Sequence, residues 1–364
     1  MTTILLAGGG TGGHLMPALA IAAEVGRQQP EWRFVFAGAA RGIEAQVLPH
    51  RGVPHRLLPL EPLHRTHWWR NAQWLWLAPR LVSAVHRMLD DEQPAAVIGT
   101  GGYVSGPVVW LAARRGIPTG ILELDVHPGV ATRFLANRVM EIWTATPEAV
   151  SALSPSSQSR AIVTGAPIVV PDQARRVGAR ERFGLDASGP VLVVTGGSQG
   201  SLALNRLIAA WLASGSARGV QVIWATGQGS HAEFAPFHDP PRVTVTPFLD
   251  PMADASAVAD LCVARAGMMT IAELCAWGIP SVLIPLPSAA ADHQTHNARA
   301  LAASGACVML PQGSLTAAVL GNTLERLLTD GAERQRMAAA ALSRGRPDAA
   351  AVIARQVVRL VGGR

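Results

Sequence analysis

Short apolar runs that end on glycine or proline alternate along this chain with longer segments whose apolar residues recur at helical spacing. The runs "WRFVFAG", "AAVIGTGGY" and "GILEL" in the first half, and "QVIWATG", "RVTVTPF", "ADLCVARAG" and "SVLIPLP" in the second, read as strands. The sharpest pattern occurs twice. From Ile4, "ILLAGGGTGGHLMPALA" passes from an apolar run through bare glycine into helical spacing. From Val191, "VLVVTGGSQGSLALNRLIAAWL" does the same, with Leu204, Leu207 and Ile208 on one helical face. Strand, glycine loop and helix in that order bring backbone N–H groups and a helix N-terminus close to a bound group, usually a phosphate.

An approximate internal repeat of this kind predicts two doubly wound α/β domains, each with a parallel sheet and its own phosphate-type loop. The stretch from Pro167 to Pro190, with three prolines and several arginines, reads as the linker. Near the end, "AAAVIARQVVRLVGG" places Val352, Ile353, Val357 and Leu360 on one face of an amphipathic helix. The expected organisation is residues 1–166, residues 167–345 and a closing helix over 346–364.

Length agrees, because single cores stop growing near ~250 to 300 residues and this chain has 364. The longest apolar runs, Val108–Ala113 and Ser281–Leu286, fall far short of the roughly 18 residues of a membrane span. No signal-type segment precedes Ile4, so a cytoplasmic protein is expected. Cys262, Cys275 and Cys307 form no CxxC pair and read as buried free thiols. The chain contains no lysine, and its arginines outnumber its acids, 31 to 25, for a net charge of +6. That balance favours anionic partners without choosing among nucleic acid, a membrane surface and a phosphorylated substrate.

Gly8, Gly10 and Gly13 fit the dinucleotide pattern G-x-G-x-x-G, but the tip of the second strand offers Ala39, Ala40 and Arg41 in place of the acid that would hold a ribose. An ATPase P-loop is excluded by the missing lysine. A third glycine loop, "GTGGYVSGP", follows the strand run "AAVI". Together "GGTGGH" (9–14), "GGYVSGP" (101–107) and "GGSQGS" (196–201) resemble the glycine loops of the MurG family, glycosyltransferase family 28, with "RAGMMTIAE" (265–273) and "DHQTHNA" (292–298) following in the family's order.

The resemblance implies a GT-B fold, with two Rossmann-like domains facing across a cleft. The first would take lipid I and the second UDP-N-acetylglucosamine, with inverting transfer of the sugar to make lipid II. It implies no metal or other cofactor and no nucleic-acid partner, and it sends the terminal helix back to the first domain. It also implies work at the cytoplasmic face of the inner membrane, as a peripheral protein on an anionic surface.

A departing diphosphate needs charge stabilisation, which the loop N–H groups and helix dipole at Ser198, Gln199 and Gly200 can supply. A single carboxylate can accept from both ribose hydroxyls, the role the resemblance gives Glu273. Met268, Met269 and Thr270 would add N–H groups at the same helix start, and Leu249 matches the position whose backbone recognises uracil. Asp292 suits an N-cap, and Gln294 and Asn297 could hydrogen-bond sugar hydroxyls. His293 and His296 beside Asp292 make a poor metal site, with the remaining ligands missing.

His14 follows a glycine loop at a helix start, where the positive end of the dipole favours a neutral imidazole able to take a proton from the attacking hydroxyl. Thr11, Gly12 and Gly13 would line the same place and contact the donor, and Tyr103 and Ser105 would contact the acceptor. Where the family reads "HEQN" this chain reads "LELD", keeping Glu123 and placing Leu122, Leu124 and Asp125 at the other positions. Glu123 and Asp125 join His14 as catalytic candidates, with Asp125 also beside the donor. Val169 stands where the family has an arginine, and Ala266 where it has a serine.

Residues 63–87 hold Trp68, Trp69, Trp74 and Trp76 among arginines and histidines, a composition suited to a membrane-contact helix. Three rivals stay open: a UDP-N-acetylglucosamine 2-epimerase, another glycolipid transferase, and a non-catalytic UDP-sugar-binding module.

Overall fold

The computed structural model describes residues 1–61, 74–217 and 219–363. It divides into two units, Met1–Ile168 with Asp348–Arg364, and Val169–Pro347. In the first, β1 (Thr3–Gly8), α1 (Gly12–Gln28), β2 (Arg33–Ala39), α2 (Glu44–His50), β3 (His55–Leu58), α3 (Trp74–Glu92) and β4 (Ala96–Gly101) lead into α4 (Gly102–Arg114). The unit continues with β5 (Thr119–Glu123), α5 (Val130–Leu135), β6 (Glu141–Thr144), α6 (Pro147–Ser151), α7 (Pro155–Gln158) and β7 (Ala161–Val163). Its sheet runs β3-β2-β1-β4-β5-β6-β7, all parallel.

The second unit opens with α8 (Arg175–Arg182), β8 (Val191–Thr195), α9 (Leu202–Ala213), β9 (Gln221–Ala225), α10 (His231–Phe234), β10 (Val243–Thr246) and α11 (Met252–Val258). There follow β11 (Leu261–Ala264), α12 (Met268–Trp277), β12 (Ser281–Leu283), α13 (His293–Ala303), β13 (Cys307–Met309), α14 (Ala317–Thr329) and α15 (Gly331–Arg344). Its parallel order, β10-β9-β8-β11-β12-β13, repeats that of the first unit through six strands.

Covering each sheet on both faces explains why the strand runs are continuously apolar rather than alternating. Leu5, Val35 and Val97 pack with Val85 of α3 and Val104 and Val108 of α4. In the second unit Leu192, Val194, Val222 and Trp224 pack with Ile208 and Trp211 of α9 and Leu320 of α14. Each such side chain contributes about 1.5 to 3 kcal/mol when fully buried. All three cysteines are buried, and burial pushes the thiols of Cys262 and Cys307 up to about 12.

Two boundaries have a definite physical cause. The last helix, α16 (Ala349–Gly362), buries Ile353, Ala354, Val357 and Leu360, packs on α1, and sets Arg359 Nη2 2.7 Å from Glu141 Oε1. The stretch read as a linker instead carries α8, whose Arg175 and Arg182 clasp Asp254 of α11 at 2.7 and 2.6 Å. Arg176 and Arg180 donate to the Ala257 and Asp186 carbonyls, so these arginines are bonded partners and not solvated spacer. In both sheets the strand order reverses beside the first strand of the unit, β1 or β8. Ligands of doubly wound sheets bind outside the carboxyl ends at that switch point, and both glycine loops lie there.

Candidate active site

In the first unit the glycines make room for the groups around them. A Cβ on Gly9 would lie 1.8 Å from Glu44 Oε1, and one on Gly8 1.9 Å from Thr100 Oγ1. At Gly101, with φ +103°, it would meet the His14 ring at 2.4 Å; at Gly102, with φ +75°, the Gly9 carbonyl oxygen at 2.1 Å. The β1–α1 and β4–α4 turns therefore interlock at contact distances that side chains forbid. Thr11 is the N-cap of α1, so His14 sits in its first turn, with Thr11 and Gly13 exposed and Gly12 half-buried.

The interlock defines the state of His14. Its Nδ1 lies 3.2 Å from the Thr100 carbonyl oxygen, and the Thr100 hydroxyl donates to the His14 carbonyl at 2.8 Å. A carbonyl can only accept, so in the neutral ring Nδ1 carries the hydrogen and Nε2 keeps a lone pair. A proton acceptor results, fixed by backbone.

Two sequence expectations change around this loop. The Ser105 hydroxyl, expected at the acceptor, is turned inward to the Ala7 and Gly101 carbonyls at 2.5 and 2.8 Å and accepts from the Gly101 N–H at 3.0 Å, while Ser105 is only 2% exposed. It braces the β4–α4 turn. Glu123, expected among the catalytic groups, is buried at the end of β5 and accepts from the main-chain N–H of Asp125 at 3.0 Å and of Gly129 at 2.9 Å. Burial pushes its carboxyl up to about 7, with Asp125 adding to the rise and the hydrogen bonds from Thr132 and the loop opposing it. Its two oxygens shape the loop that presents Asp125, which is half-buried.

Sequence reading passed over Glu44. It opens α2 fully buried, takes the Ala39 N–H at 3.0 Å on Oε1, and leaves Oε2 without a hydrogen-bond partner. Gly38 and Gly42, whose Cβ atoms would collide with it, were the available signal. Tyr103 lies beside it, its phenol pushed up by burial first and by the charges of Glu44 and Glu61 second.

The second unit builds its loop differently. Ser201 caps α9 by accepting the Leu204 N–H, while Gly197 and Gly200 take φ of +84° and +71°. A Cβ on Gly200 would meet the Thr226 carbonyl oxygen at 2.3 Å. Ser198 and Gln199 are exposed at the tip. Behind it lies Arg265, 6% exposed, which donates to the Ser201 hydroxyl and Gln312 Oε1, each at 2.6 Å, and to the Ile284 and Pro285 carbonyls. Its Nε has no partner, and none of these partners is a carboxylate. Burial lowers its pKa, as expected for a cation without a counter-ion.

Around that loop, Met268, Met269 and Thr270 form the first turn of α12, and Glu273 follows one turn later. Burial alone lifts the Glu273 carboxyl to about 7. Leu249 is buried. Gln294 Oε1 accepts the N–H groups of Ala266 at 3.2 Å and Leu286 at 3.0 Å, which fixes the carboxamide and leaves its NH₂ as the free end. Asp292 holds the N-cap position of α13 in a left-handed conformation, φ +53°, and accepts from the Thr295 hydroxyl instead of a backbone N–H. Asn297 is buried and donates to the Ala266 carbonyl, so it supports the site rather than meeting a sugar. Among the described residues no group of three or more His, Cys, Asp or Glu is placed to hold a metal ion.

Trp68 and Trp69 lie outside the described residues. Trp74 opens α3, and Trp76 is 77% exposed. No helix among the described residues is long and apolar enough to cross a membrane.

Comparison with known proteins matches these two units in the same order. Residues 4–144 match the N-terminal domain of glycosyltransferase family 28, and residues 191–353 its C-terminal domain. A Salinibacter ruber protein named UDP-N-acetylglucosamine--N-acetylmuramyl-(pentapeptide) pyrophosphoryl-undecaprenol N-acetylglucosamine transferase is 39% identical over 375 residues, covering 98% of this chain and 96% of that one. The crystal structure of Acinetobacter baumannii MurG superposes with a TM-score of 0.78 at 26% identity, over 99% of this chain and 100% of that one. UDP-GlcNAc 2-epimerase from Neisseria meningitidis shares the fold, with a TM-score of 0.66 at 12% identity over 99% and 100% of the two chains. Both parallel-sheet units, their loops and these matches describe a GT-B enzyme, and the chain belongs to glycosyltransferase family 28.

Proposed function

We propose that the enzyme moves N-acetylglucosamine from UDP-N-acetylglucosamine to the muramoyl 4-hydroxyl of lipid I, with inversion, to give lipid II. The observation that carries this reading is the contact of His14 Nδ1 with the Thr100 carbonyl oxygen at 3.2 Å beside a glycine loop, which makes Nε2 the proton-accepting nitrogen of the neutral ring. In the step, Nε2 takes the proton of the 4-hydroxyl as its oxygen bonds to the anomeric carbon of the donor sugar. The bond from that carbon to the diphosphate oxygen breaks, and UDP leaves with the electron pair. Developing charge on UDP meets the N–H groups of Ser198 and Gln199, in a turn that the Gly200 N–H closes on the Gly197 carbonyl at 2.9 Å, with the positive end of α9 and the cation of Arg265 behind them.

Glu273 accepts from the ribose hydroxyls, and Met268, Met269 and Thr270 add N–H donors. The Leu249 main chain reads uracil, and the Gln294 NH₂ meets a sugar hydroxyl. On the acceptor side Thr11, Gly12, Gly13 and Tyr103 line the approach to His14. Asp125 shares the base role, with Glu123 holding its loop. No metal enters this scheme.

The acceptor is lipid-linked, so we place the enzyme peripherally at the cytoplasmic face of the inner membrane. Exposed apolar groups of α5, beside the half-buried Trp110 of α4, support that placement. Trp110 and Phe134 lie 6.4 Å apart, with Arg114 over the first ring at 5.2 Å and Arg138 over the second at 4.5 Å, and Val130 and Phe134 are exposed. Aromatic bodies beside arginine suit an anionic interface, and Trp76 on α3 adds a further exposed aromatic.

UDP release from UDP-N-acetylglucosamine, measured with and without a soluble lipid I analogue, tests the reading. Acceptor-dependent release with disaccharide formation is expected. Epimerised UDP-sugar without an acceptor would establish the epimerase instead, and tight binding with no turnover a binding module.

A further inference from the structure

The first unit holds a groove at the end of its sheet opposite the glycine loops. Pairing between β2 and β3 begins only at Phe36 with His55, whereas pairing with β1 begins at Arg33. The first residues of β2 therefore have no outer neighbour. Into that step open Trp32 and Phe34, walled by Leu19 of α1 and by Pro54, around a space of about 670 Å³, within the ~300 to 1,000 Å³ usual for small-ligand sites. Small residues keep it open, since Ala22 and Ala23 follow Leu19 along the α1 wall.

The rim is cationic. Arg33 and Arg56 turn their charges to Glu92 of α3, on the other face of the sheet. Arg51, which lines the groove and is exposed, has a guanidinium without an ion-pair or hydrogen-bond partner among the described residues. An apolar trough beside an uncompensated positive charge complements a hydrocarbon chain with an anionic head.

The source of such a chain follows from the faces of the sheet. Phe34 lies 3.4 Å from where a Cβ on Gly26 would stand, so it faces α1. Val35 packs with the α3 and α4 side. Successive strand residues point to opposite faces, so the groove opens on the face away from the Trp110–Phe134 patch. A bilayer under that patch does not reach the groove. The geometry points to a site for a single-chain anionic amphiphile, a free long-chain carboxylate taken from solution, separate from the donor and acceptor sites.

Titration calorimetry of the full chain with dodecanoate below its micelle concentration tests this. Saturable binding of one equivalent is expected, with decanoate weaker by several-fold and at most about fifteenfold for the two methylenes lost. Dodecyltrimethylammonium should bind at least about tenfold more weakly, since its charge opposes the rim. Arg51→Glu should cost dodecanoate about tenfold, and Ala22→Leu should abolish binding by filling the trough. If Ala22→Leu fails to fold, the exposed Arg51→Glu decides. Equal affinity for the two head charges, dodecanoate binding unmoved by Arg51→Glu, or no saturable heat would overturn the proposal. So would an Arg51→Glu effect confined to anionic vesicles, which would make the groove a bilayer contact.

Discussion

The two glycine loops begin from the same supersecondary unit and end as opposite electrostatic environments. Behind the loop of the first unit lie carboxylates: Glu44 is buried with one oxygen unpaired, and Glu123 is buried with both oxygens on backbone. Behind the loop of the second lies a buried arginine with no carboxylate partner among the described residues. A strand–glycine–helix unit supplies N–H groups and about half a positive charge wherever it occurs. What specialises it is the charge placed behind it. A carboxylate-backed loop is a poor home for a second anion and a good one for a proton acceptor, whereas a cation-backed loop stabilises a leaving diphosphate.

The comparison breaks most visibly at His14. His14→Ala is expected to lower turnover by roughly 10² or more, with UDP affinity in calorimetry unchanged, because the residue belongs to the loop that does not hold the donor. A parallel loss of UDP binding would mean that the loops do not divide the work.

Glu273 comes next, with a signature in pH. Its carboxyl is lifted to about 7 by burial, and hydroxyl donors favour the ionised form, so binding of a ribose lowers that value and releases a proton. Uridine affinity is therefore expected to rise with pH up to about 7 and to level above it, falling by up to about tenfold per unit below. Glu273→Gln should flatten this profile and weaken uridine about tenfold or more. The same raised value means that, in the free protein, Glu273 favours folding at low pH and that this contribution is lost as pH rises from about 4.5 to about 7; Glu123 has the same sign. A pH-independent uridine affinity would take Glu273 out of the site.

Arg265 separates charge from shape. Arg265→Met keeps the volume and removes a buried charge that has no counter-ion, so the fold should survive it. UDP is expected to bind about five- to tenfold more weakly, an effect of about 1 to 1.4 kcal/mol, while uridine, which lacks the diphosphate, binds as before. Equal losses for the two ligands would make the arginine a mere strut.

Much of this contrast was legible in the sequence, for a physical reason. Glycine loops, strand runs and the apolar face of α16 are local patterns, set by backbone sterics and by side-chain period, and they appear where the residues predict them. The short strands β3, β6, β7 and β13 went unread, although β10, β11 and β12, which are no longer than four residues, were read. What hid was direction. Nothing local distinguishes a Ser105 that faces solvent from one hydrogen-bonded to Ala7, far away in the chain, or a Glu123 aimed at substrate from one folded onto its own loop. Glu44 is a solvated helix acid by its neighbours, and only the collision distances at Gly9, Gly38 and Gly42 show it as the group those glycines accommodate. Arg175 and Arg182 looked like spacer because their partner, Asp254, lies on α11.

The smallest expected effect tests how finely the second loop reads its sugar. Gln294 Oε1 is committed to the N–H groups of Ala266 and Leu286, so only the NH₂ remains to meet a ligand. Gln294→Glu replaces that donor by an oxygen while the other oxygen still accepts both N–H groups, and the turn keeps its shape. A single neutral hydrogen bond is worth about 0.5 to 1.5 kcal/mol, so UDP-N-acetylglucosamine should bind roughly two- to tenfold more weakly. UDP, which has no sugar to lose, should bind with unchanged affinity, and so should uridine. If UDP weakens as much as the sugar nucleotide, the new charge is acting on the diphosphate and the residue lies nearer the leaving group than the sugar. Unchanged binding of all three ligands would place the carboxamide outside the site and leave it a brace between the Ala266 and Leu286 turns.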